Sequence, residues 1–503
     1  MKNRRNKTTA MTEFGDWQTP FDLAERICTL VSQRIRPSLV LEPNCGRGAF
    51  LRAATFSFPE ATRLLGLDIN ADYVRMARSI NNNALEIIHG DFFIHDWKRY
   101  LNESAGPILI IGNPPWVTNA ELMRIGSLNV PKKSNINGFK GIDAITGKSN
   151  FDISEWMLIR EIEALQGKDA LLAMLCKTTI ARKVVTYAWK KGLLFTDAEI
   201  REINAQRHFG VAVDACLMLI RFHPDSDNDN SHCHVFDSLD ASEPSYKLGL
   251  RNDKLVSRVD IVDKYSKLIN GNHPVFCWRS GIKHDCSNVM ELKALPDGRF
   301  MNGLNVYVDI ELDLLFPMLK SSDLANGKIE SIHRFMLVPQ RTISCNTEFI
   351  AASYPKTWKY LQSHADLLDK RKSAIYRGKP KFSIFGVGEY SFTPWKVAIS
   401  GLYKSLMFRV IGPYKGKPVV FDDTCYFLAF RSEEESLLVK ELLESKVCTE
   451  ILDAFIFWDS KRPITKDILT LIDLQEIARF LGCEKAFGKM FAHHLTVKQT
   501  ALF

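Results

Sequence analysis

Val40-Leu41-Glu42-Pro43-Asn44-Cys45-Gly46-Arg47-Gly48-Ala49-Phe50-Leu51 reads as a strand that breaks at a Gly-x-Gly turn and resumes as a helix. Glycines let the backbone approach a ligand closely, and the helix N-terminus faces it with free N–H groups. On either side, short apolar runs alternate with amphipathic ones. Ser38–Leu41, Thr62–Ile69, Ala84–His89, Ile108–Ile111, Ala170–Cys176 and Ala215–Phe222 are expected strands. Ile108–Ile111 is apolar throughout, as a parallel strand buried on both faces tends to be. Pro20–Val31, Asp72–Asn81 and Ile153–Leu165 carry helical spacing. Strands alternating with helices predict a doubly wound α/β sheet. The G-x-x-x-x-G-K-[ST] form of a phosphate loop is absent, which disfavours nucleoside triphosphates.

Three further stretches fall at expected strand ends, where open α/β sheets bind ligands. Asp68 in Gly66-Leu67-Asp68-Ile69-Asn70 can accept both ribose hydroxyls of a nucleoside, or cap the helix that follows. Asp91, in His89-Gly90-Asp91-Phe92-Phe93, can accept from an adenine amino group while Phe92 stacks on the ring. Asn113-Pro114-Pro115-Trp116 follows the apolar strand directly. The two prolines stiffen the turn and remove two backbone donors. The Asn113 side-chain carbonyl and the Pro114 carbonyl remain as acceptors beside an aromatic plate, a set that suits a planar ring bearing an amino group.

These motifs resemble the γ-class, TaqI-like DNA adenine-N6 methyltransferases of type II restriction–modification systems. The resemblance implies a Rossmann-like class I S-adenosylmethionine-dependent methyltransferase domain followed by a mixed α+β target-recognition domain. Gln18-Thr19-Pro20 is similar to the segment that closes over the methionine moiety of the cofactor. Glu42, Asn44, Gly46 and Gly48 fall in the cofactor loop, Asp68 and Ile69 at the ribose, and Asp91 and Phe92 at the adenine. Asn113, Pro114, Pro115 and Trp116 match the catalytic (D/N/S)PP(Y/F/W) motif, and Phe209 in His208-Phe209-Gly210-Val211 matches the aromatic residue that packs against the flipped base. Catalysis then needs no covalent cysteine, and no Pro-Cys dipeptide occurs.

The second half resembles a target-recognition domain through Trp278–Cys286 and Lys381–Gly388. The expected division is 1–250 for catalysis and 251–503 for recognition. The net charge of +8 is unevenly placed: residues 351–420 hold 13 basic and 3 acidic side chains. That tract suggests a nucleic-acid face, with Arg377, Lys379 and Lys381 as DNA contacts. His284, Cys286 and Cys277 lack zinc spacing, so no metal is expected. The basic N-terminus has no apolar region behind it, and no apolar run reaches the roughly 18 residues of a membrane span. Eleven scattered cysteines read as reduced thiols in a cytoplasmic protein of a bacterial or archaeal cell.

The expected partners are S-adenosylmethionine, double-stranded DNA and a separately acting cognate endonuclease, with the chain as a monomer. Alternatives are methylation of RNA adenine or of a protein glutamine, whose amide is also a planar amino group. A fused restriction–modification enzyme would need a nuclease cluster, and no convincing D…E-x-K pattern is present. A non-catalytic DNA-binding module would not need all four motifs.

Overall fold

The computed structural model describes residues 17–117, 152–225, 231–269, 276–343 and 345–496, with side chains to residue 492. The basic N-terminal segment and most of the polar stretch 224–232 lie outside the described residues. The chain divides into two compact units, Met1–Val259 and Asp260–Phe503. Among the described residues no helix is long and apolar enough to cross a membrane.

The first unit is a Rossmann-like α/β fold. Its strands are β1 (Leu39–Glu42), β2 (Arg63–Asp68), β3 (Leu85–His89), β4 (Ile108–Gly112), β5 (Ala170–Lys177), β6 (Asp197–Ile203), β7 (Ala215–Phe222), β8 (His232–Phe236), β9 (Tyr246–Arg251) and β10 (Lys254–Val256). They form one sheet in the order β10-β9-β8-β6-β7-β5-β4-β1-β2-β3. β1 pairs in parallel with both β2 and β4, and β4 with β5, whereas β7 runs antiparallel between β5 and β6. The direction of winding reverses between β1 and β4. That switch point opens a crevice beyond the strand ends, and both the Gly-x-Gly turn and Asn113 sit at it. The hairpin β9–β10 extends the same sheet, so this unit runs past residue 250 to Val259.

Helices cover the sheet through one face each. In α1 (Phe21–Ser32), Leu23, Ala24, Ile27, Cys28 and Val31 recur at helical spacing and are fully buried. They pack with Phe50, Leu51, Ala53 and Ala54 of α2 (Ala49–Ser57) onto Val40, Leu109 and Ile111. α3 (Ala71–Ala77) is capped by Asn70, whose side chain accepts from Asp72 and Tyr73 N–H, so the cap is not Asp68. α4 (Trp97–Glu103) and α5 (Ile153–Ala164) follow β3 and precede β5 respectively, and α6 (Thr178–Lys191) ends at Gly192 in the left-handed region. α7 (Ala205–Phe209) ends likewise at Gly210.

The second unit is mixed α+β. It holds β11 (Arg279–Ser280), β12 (Glu291–Ala294), β13 (Phe300–Asn302), β14 (Tyr307–Val308), β15 (Leu315–Leu319), β16 (Arg334–Leu337), β17 (Trp395–Ser400), β18 (Arg409–Ile411), β19 (Val420–Phe421) and β20 (Cys425–Phe430). One sheet runs β11-β20-β17-β18 and another β14-β13-β12-β16-β15-β19. Helices dominate from Glu433, beginning with α8 (Glu433–Glu444), whose Ser432 and Glu435 form a reciprocal cap.

The two segments singled out in this half lie against each other. Lys283 and Phe385 exchange backbone hydrogen bonds of 2.8 and 2.9 Å. A side chain at Gly386 would stand 2.4 Å from the Gly281 carbonyl, and one at Gly281 would stand 2.0 Å from that of Asp422. Glycine is what lets these three backbones meet.

Candidate functional site

The Gly-x-Gly turn needs both glycines. Gly46 and Gly48 have φ of +51° and +81°, which other residues rarely adopt. A Cβ on Gly46 would lie 2.8 Å from Gln18 Oε1, and one on Gly48 would lie 2.7 Å from Ile80 Cδ1. The turn is tied across the sheet to β2: Gly46 N–H donates to Asp68 Oδ2 and Asn70 N–H to Asp68 Oδ1, both at 2.8 Å. Asp68 therefore shapes the loop as well as ending its strand. Ile69 beside it is 43% exposed, an apolar side chain held open at the crevice.

Glu42 is buried and its Oε2 accepts from Leu51 N–H at 3.2 Å, clamping the end of β1 to α2. Burial pushes its carboxyl well above the usual carboxylate range; the Leu51 hydrogen bond opposes that shift and the nearby Asp68 charge adds to it. Asp91 Oδ1 accepts from Phe93 N–H at 2.9 Å. Phe92 is buried against Leu67, Val117, Ile153 and Met157.

Asn113 leaves β4 with its amide orientation fixed. Nδ2 donates to the Trp17 carbonyl at 2.9 Å and to Thr19 Oγ1 at 3.3 Å. Its Oδ1 is buried and has no hydrogen-bond partner among the described residues. Gln18, between those two partners, accepts through Oε1 from Arg47 N–H at 3.1 Å. The segment Trp17-Gln18-Thr19-Pro20 thus bridges the Gly-x-Gly turn and the Asn-Pro-Pro-Trp turn. Reading Gln18-Thr19-Pro20 as cofactor contacts alone missed this second attachment.

Asn44 Oδ1 and Trp116 Nε1 are likewise buried without partners among the described residues. An unpaired buried polar atom costs about 1–3 kcal/mol, and these three belong to the two turns that follow β1 and β4. Trp116 and Phe209 are brought together, ring centroids 5.1 Å apart and nearly perpendicular at 70°.

Two residues missed in the sequence close the far end of the turn. Lys177, last in β5, donates through Nζ to the Trp116 carbonyl at 3.2 Å and pairs with Asp152 Oδ2 at 2.6 Å. They lie 25 positions apart in sequence, and the end of β5 and the start of α5 bring them together beside the Trp116 carbonyl.

In the second unit Arg377, Lys379 and Lys381 are all exposed. Their loop is anchored from within. Arg371 donates to the Ser383 carbonyl at 2.7 Å and lies 3.7 Å over the Tyr376 ring, and Tyr376 Oη donates to the Lys283 carbonyl. One cation of the basic tract, Lys396, is internal and another, Lys417, is half-buried. Lys396 is fully buried, donating to the Thr393 carbonyl at 2.6 Å, and Lys417 binds the carbonyls of Leu312 and Leu315. Nine of the 13 basic side chains of the tract are exposed, Arg377, Lys379 and Lys381 among them. His284 is occupied by the Cys286 N–H and by Glu291.

No family profile matches the chain. It is 44% identical over 474 residues to the type II methyltransferase M.NspV of Nostoc sp. (strain ATCC 29411 / PCC 7524), covering 93% of this chain and 98% of that one. It is 28% identical over 134 residues to the type II methyltransferase M.CvrRI of Paramecium bursaria Chlorella virus XZ-6E, 27% of this chain and 33% of that one. Among solved structures it is similar in fold to the type IIL restriction-modification enzyme MmeI in complex with DNA. The TM-score is 0.51 at 12% identity, covering 90% of this chain and 64% of MmeI.

Proposed function

The chain belongs to the type II methyltransferase family, and from that membership we propose that it transfers the methyl group of S-adenosylmethionine to N6 of an adenine turned out of double-stranded DNA. The observation that carries this reading is the Asn113 amide. Its donor half is occupied by Trp17 and Thr19, so only the acceptor Oδ1 is left for a substrate. An acceptor-only site beside an aromatic ring selects a planar amino group.

The residues present fit the cofactor: a turn with two positive-φ glycines, the Asp68 carboxylate, the open Ile69 side chain and the unpaired Asn44 Oδ1. Asp68 and Ile69 would hold the ribose and its neighbourhood, Asp91 and Phe92 the adenine, and Gln18, Thr19 and Pro20 the methionine end. Glu42, Gly46 and Gly48 set the loop. When bound, S-adenosylmethionine supplies a methyl group activated by its sulfonium.

Asn113 Oδ1 and the Pro114 carbonyl accept hydrogen bonds from the two N6–H groups, returning lone-pair density to nitrogen and aligning it for in-line attack; as the N6–C bond forms and the S–C bond breaks, N6 gives up one proton to solvent. Pro115 keeps the turn rigid. Positioning and electrostatics do most of the work. Turning the base out of the stack costs a few kcal/mol, which stacking on Trp116 and packing on Phe209 offset. Trp116 is 5% exposed, so its stacking face opens only when the side chains covering it move. Arg377, Lys379 and Lys381 would contact the duplex. The chain would act as the modification partner of a separate endonuclease, as a monomer inside the cell. Labelled S-adenosylmethionine incubated with duplex DNA, single-stranded RNA and a glutamine peptide tests this reading: label should enter DNA, and label in either of the others alone would replace it.

A further inference from the structure

We propose that Lys177 is a positioning residue for methyl transfer, holding the Trp116 end of the Asn-Pro-Pro-Trp turn so that the target adenine stacks in register with Asn113; this rests on the adenine reading above. Pro114 and Pro115 have no N–H, so neither can be held in place through its own nitrogen. The exit of the turn is instead held by its carbonyls. Lys177 Nζ donates to the Trp116 carbonyl at 3.2 Å, and Ile153 N–H donates to the Val117 carbonyl at 2.9 Å.

Lys177 is itself fixed. Its ammonium pairs with Asp152 Oδ2 at 2.6 Å, and Asp152, 3% exposed, accepts through Oδ1 from Ser154 Oγ at 2.6 Å and Ser154 N–H at 3.2 Å. The N-terminus of α5, the end of β5 and the turn thereby form one connected unit. Asn113 is secured at the entry by Trp17 and Thr19, and Trp116 at the exit by Lys177. An acceptor and a stacking plate must both be placed for one base, and two separate anchors do this. Asp152 has a second effect. A lone ammonium in the turn would oppose the positive charge that grows on the amino nitrogen during transfer, and the carboxylate offsets it.

The test uses the full chain, wild type and Lys177→Met, Lys177→Gln and Lys177→Arg. Methylation by the wild-type chain first maps the modified position, and a duplex with 2-aminopurine there reports base stacking. In Lys177→Met, kcat should fall about 10–100-fold, the size of one hydrogen bond from a charged donor. The affinity for S-adenosylmethionine should stay within about twofold, and 2-aminopurine fluorescence in the complex should rise above wild type as stacking loosens. Lys177→Arg should recover most of kcat. If Lys177→Met does not fold, Lys177→Gln carries the same comparison. A kcat within twofold of wild type, or a lost kcat with unchanged fluorescence, overturns the assignment. A wild-type chain that methylates no adenine overturns the functional reading instead.

Discussion

Replacing Asn113 with alanine separates the acceptor from everything else the turn does. The substitution removes Oδ1, the one group of the amide left for a substrate, and deprives the Trp17 carbonyl of its 2.9 Å donor. Removing a preorganised hydrogen-bonding group from a transition state costs about 10²–10³ in kcat, or about 3–4 kcal/mol. The structural loss is smaller. One neutral hydrogen bond is worth about 1 kcal/mol, and the lost partner at Trp17 adds up to about 1–3 kcal/mol only where that carbonyl stays dry. Melting should therefore fall by only a few degrees. The assay is single-turnover transfer to duplex DNA at saturating cofactor and DNA, with cofactor affinity measured by calorimetry. Affinity for both ligands should change by less than about threefold while the rate constant falls by about 10²–10³. A companion, Thr19→Val, removes only the longer 3.3 Å partner, and should cost about 3–10-fold. Turnover of Asn113→Ala within tenfold of wild type would refute the role of the acceptor.

Asp68→Ala should weaken S-adenosylmethionine binding about 10–100-fold, since it removes a charged acceptor and unties Gly46 and Asn70; an unchanged calorimetric Kd would reject the ribose assignment. Replacing Arg377, Lys379 and Lys381 together by alanine should flatten the dependence of DNA affinity on salt by about 0.9 for each phosphate no longer neutralised, and an unaltered slope would remove this loop from the interface. Lys396→Met should stabilise the second unit, because burial lowers the Lys396 pKa to about 7. Between about pH 7 and the ordinary lysine value the unfolded chain holds the proton and the folded chain does not, so wild-type stability rises with pH by up to about 1.4 kcal/mol per unit. The advantage of the methionine variant should be largest near pH 7 and shrink toward pH 10. A constant gap in denaturant midpoints would show that Lys396 is not titrating in that window.

The apolar strands were legible because burial on both faces of a parallel sheet leaves no choice of residue. β1, β4, β5 and β7 begin and end within a residue of where their apolar runs do. β6 was not legible. Its sequence, Asp197-Ala198-Glu199-Ile200-Arg201-Glu202-Ile203, carries four charges. Glu199 and Arg201 are nevertheless buried, paired with each other, with Arg34 bound to Glu199 and the Phe236 ring 3.8 Å from Arg201. Charges neutralised by distant partners look like surface in one dimension.

The same holds at the site. Asp68, Asp91 and Asn113 could be found because each lies at the C-terminal end of its strand or within two residues of it. Lys177, Asp152 and the second role of Thr19 depend on which strand ends meet, and no local pattern records that. Lys396 is the converse case, an ordinary lysine by sequence and a core residue by position.

The most direct test of the central claim is nucleoside mass spectrometry of duplex DNA after incubation with the full chain and S-adenosylmethionine. N6-methyladenine at a fixed sequence context is the expected product, formed about 10²–10³ times more slowly by Asn113→Ala. N4-methylcytosine or 5-methylcytosine as the product, or N6-methyladenine formed by Asn113→Ala at a rate within tenfold of wild type, would contradict it.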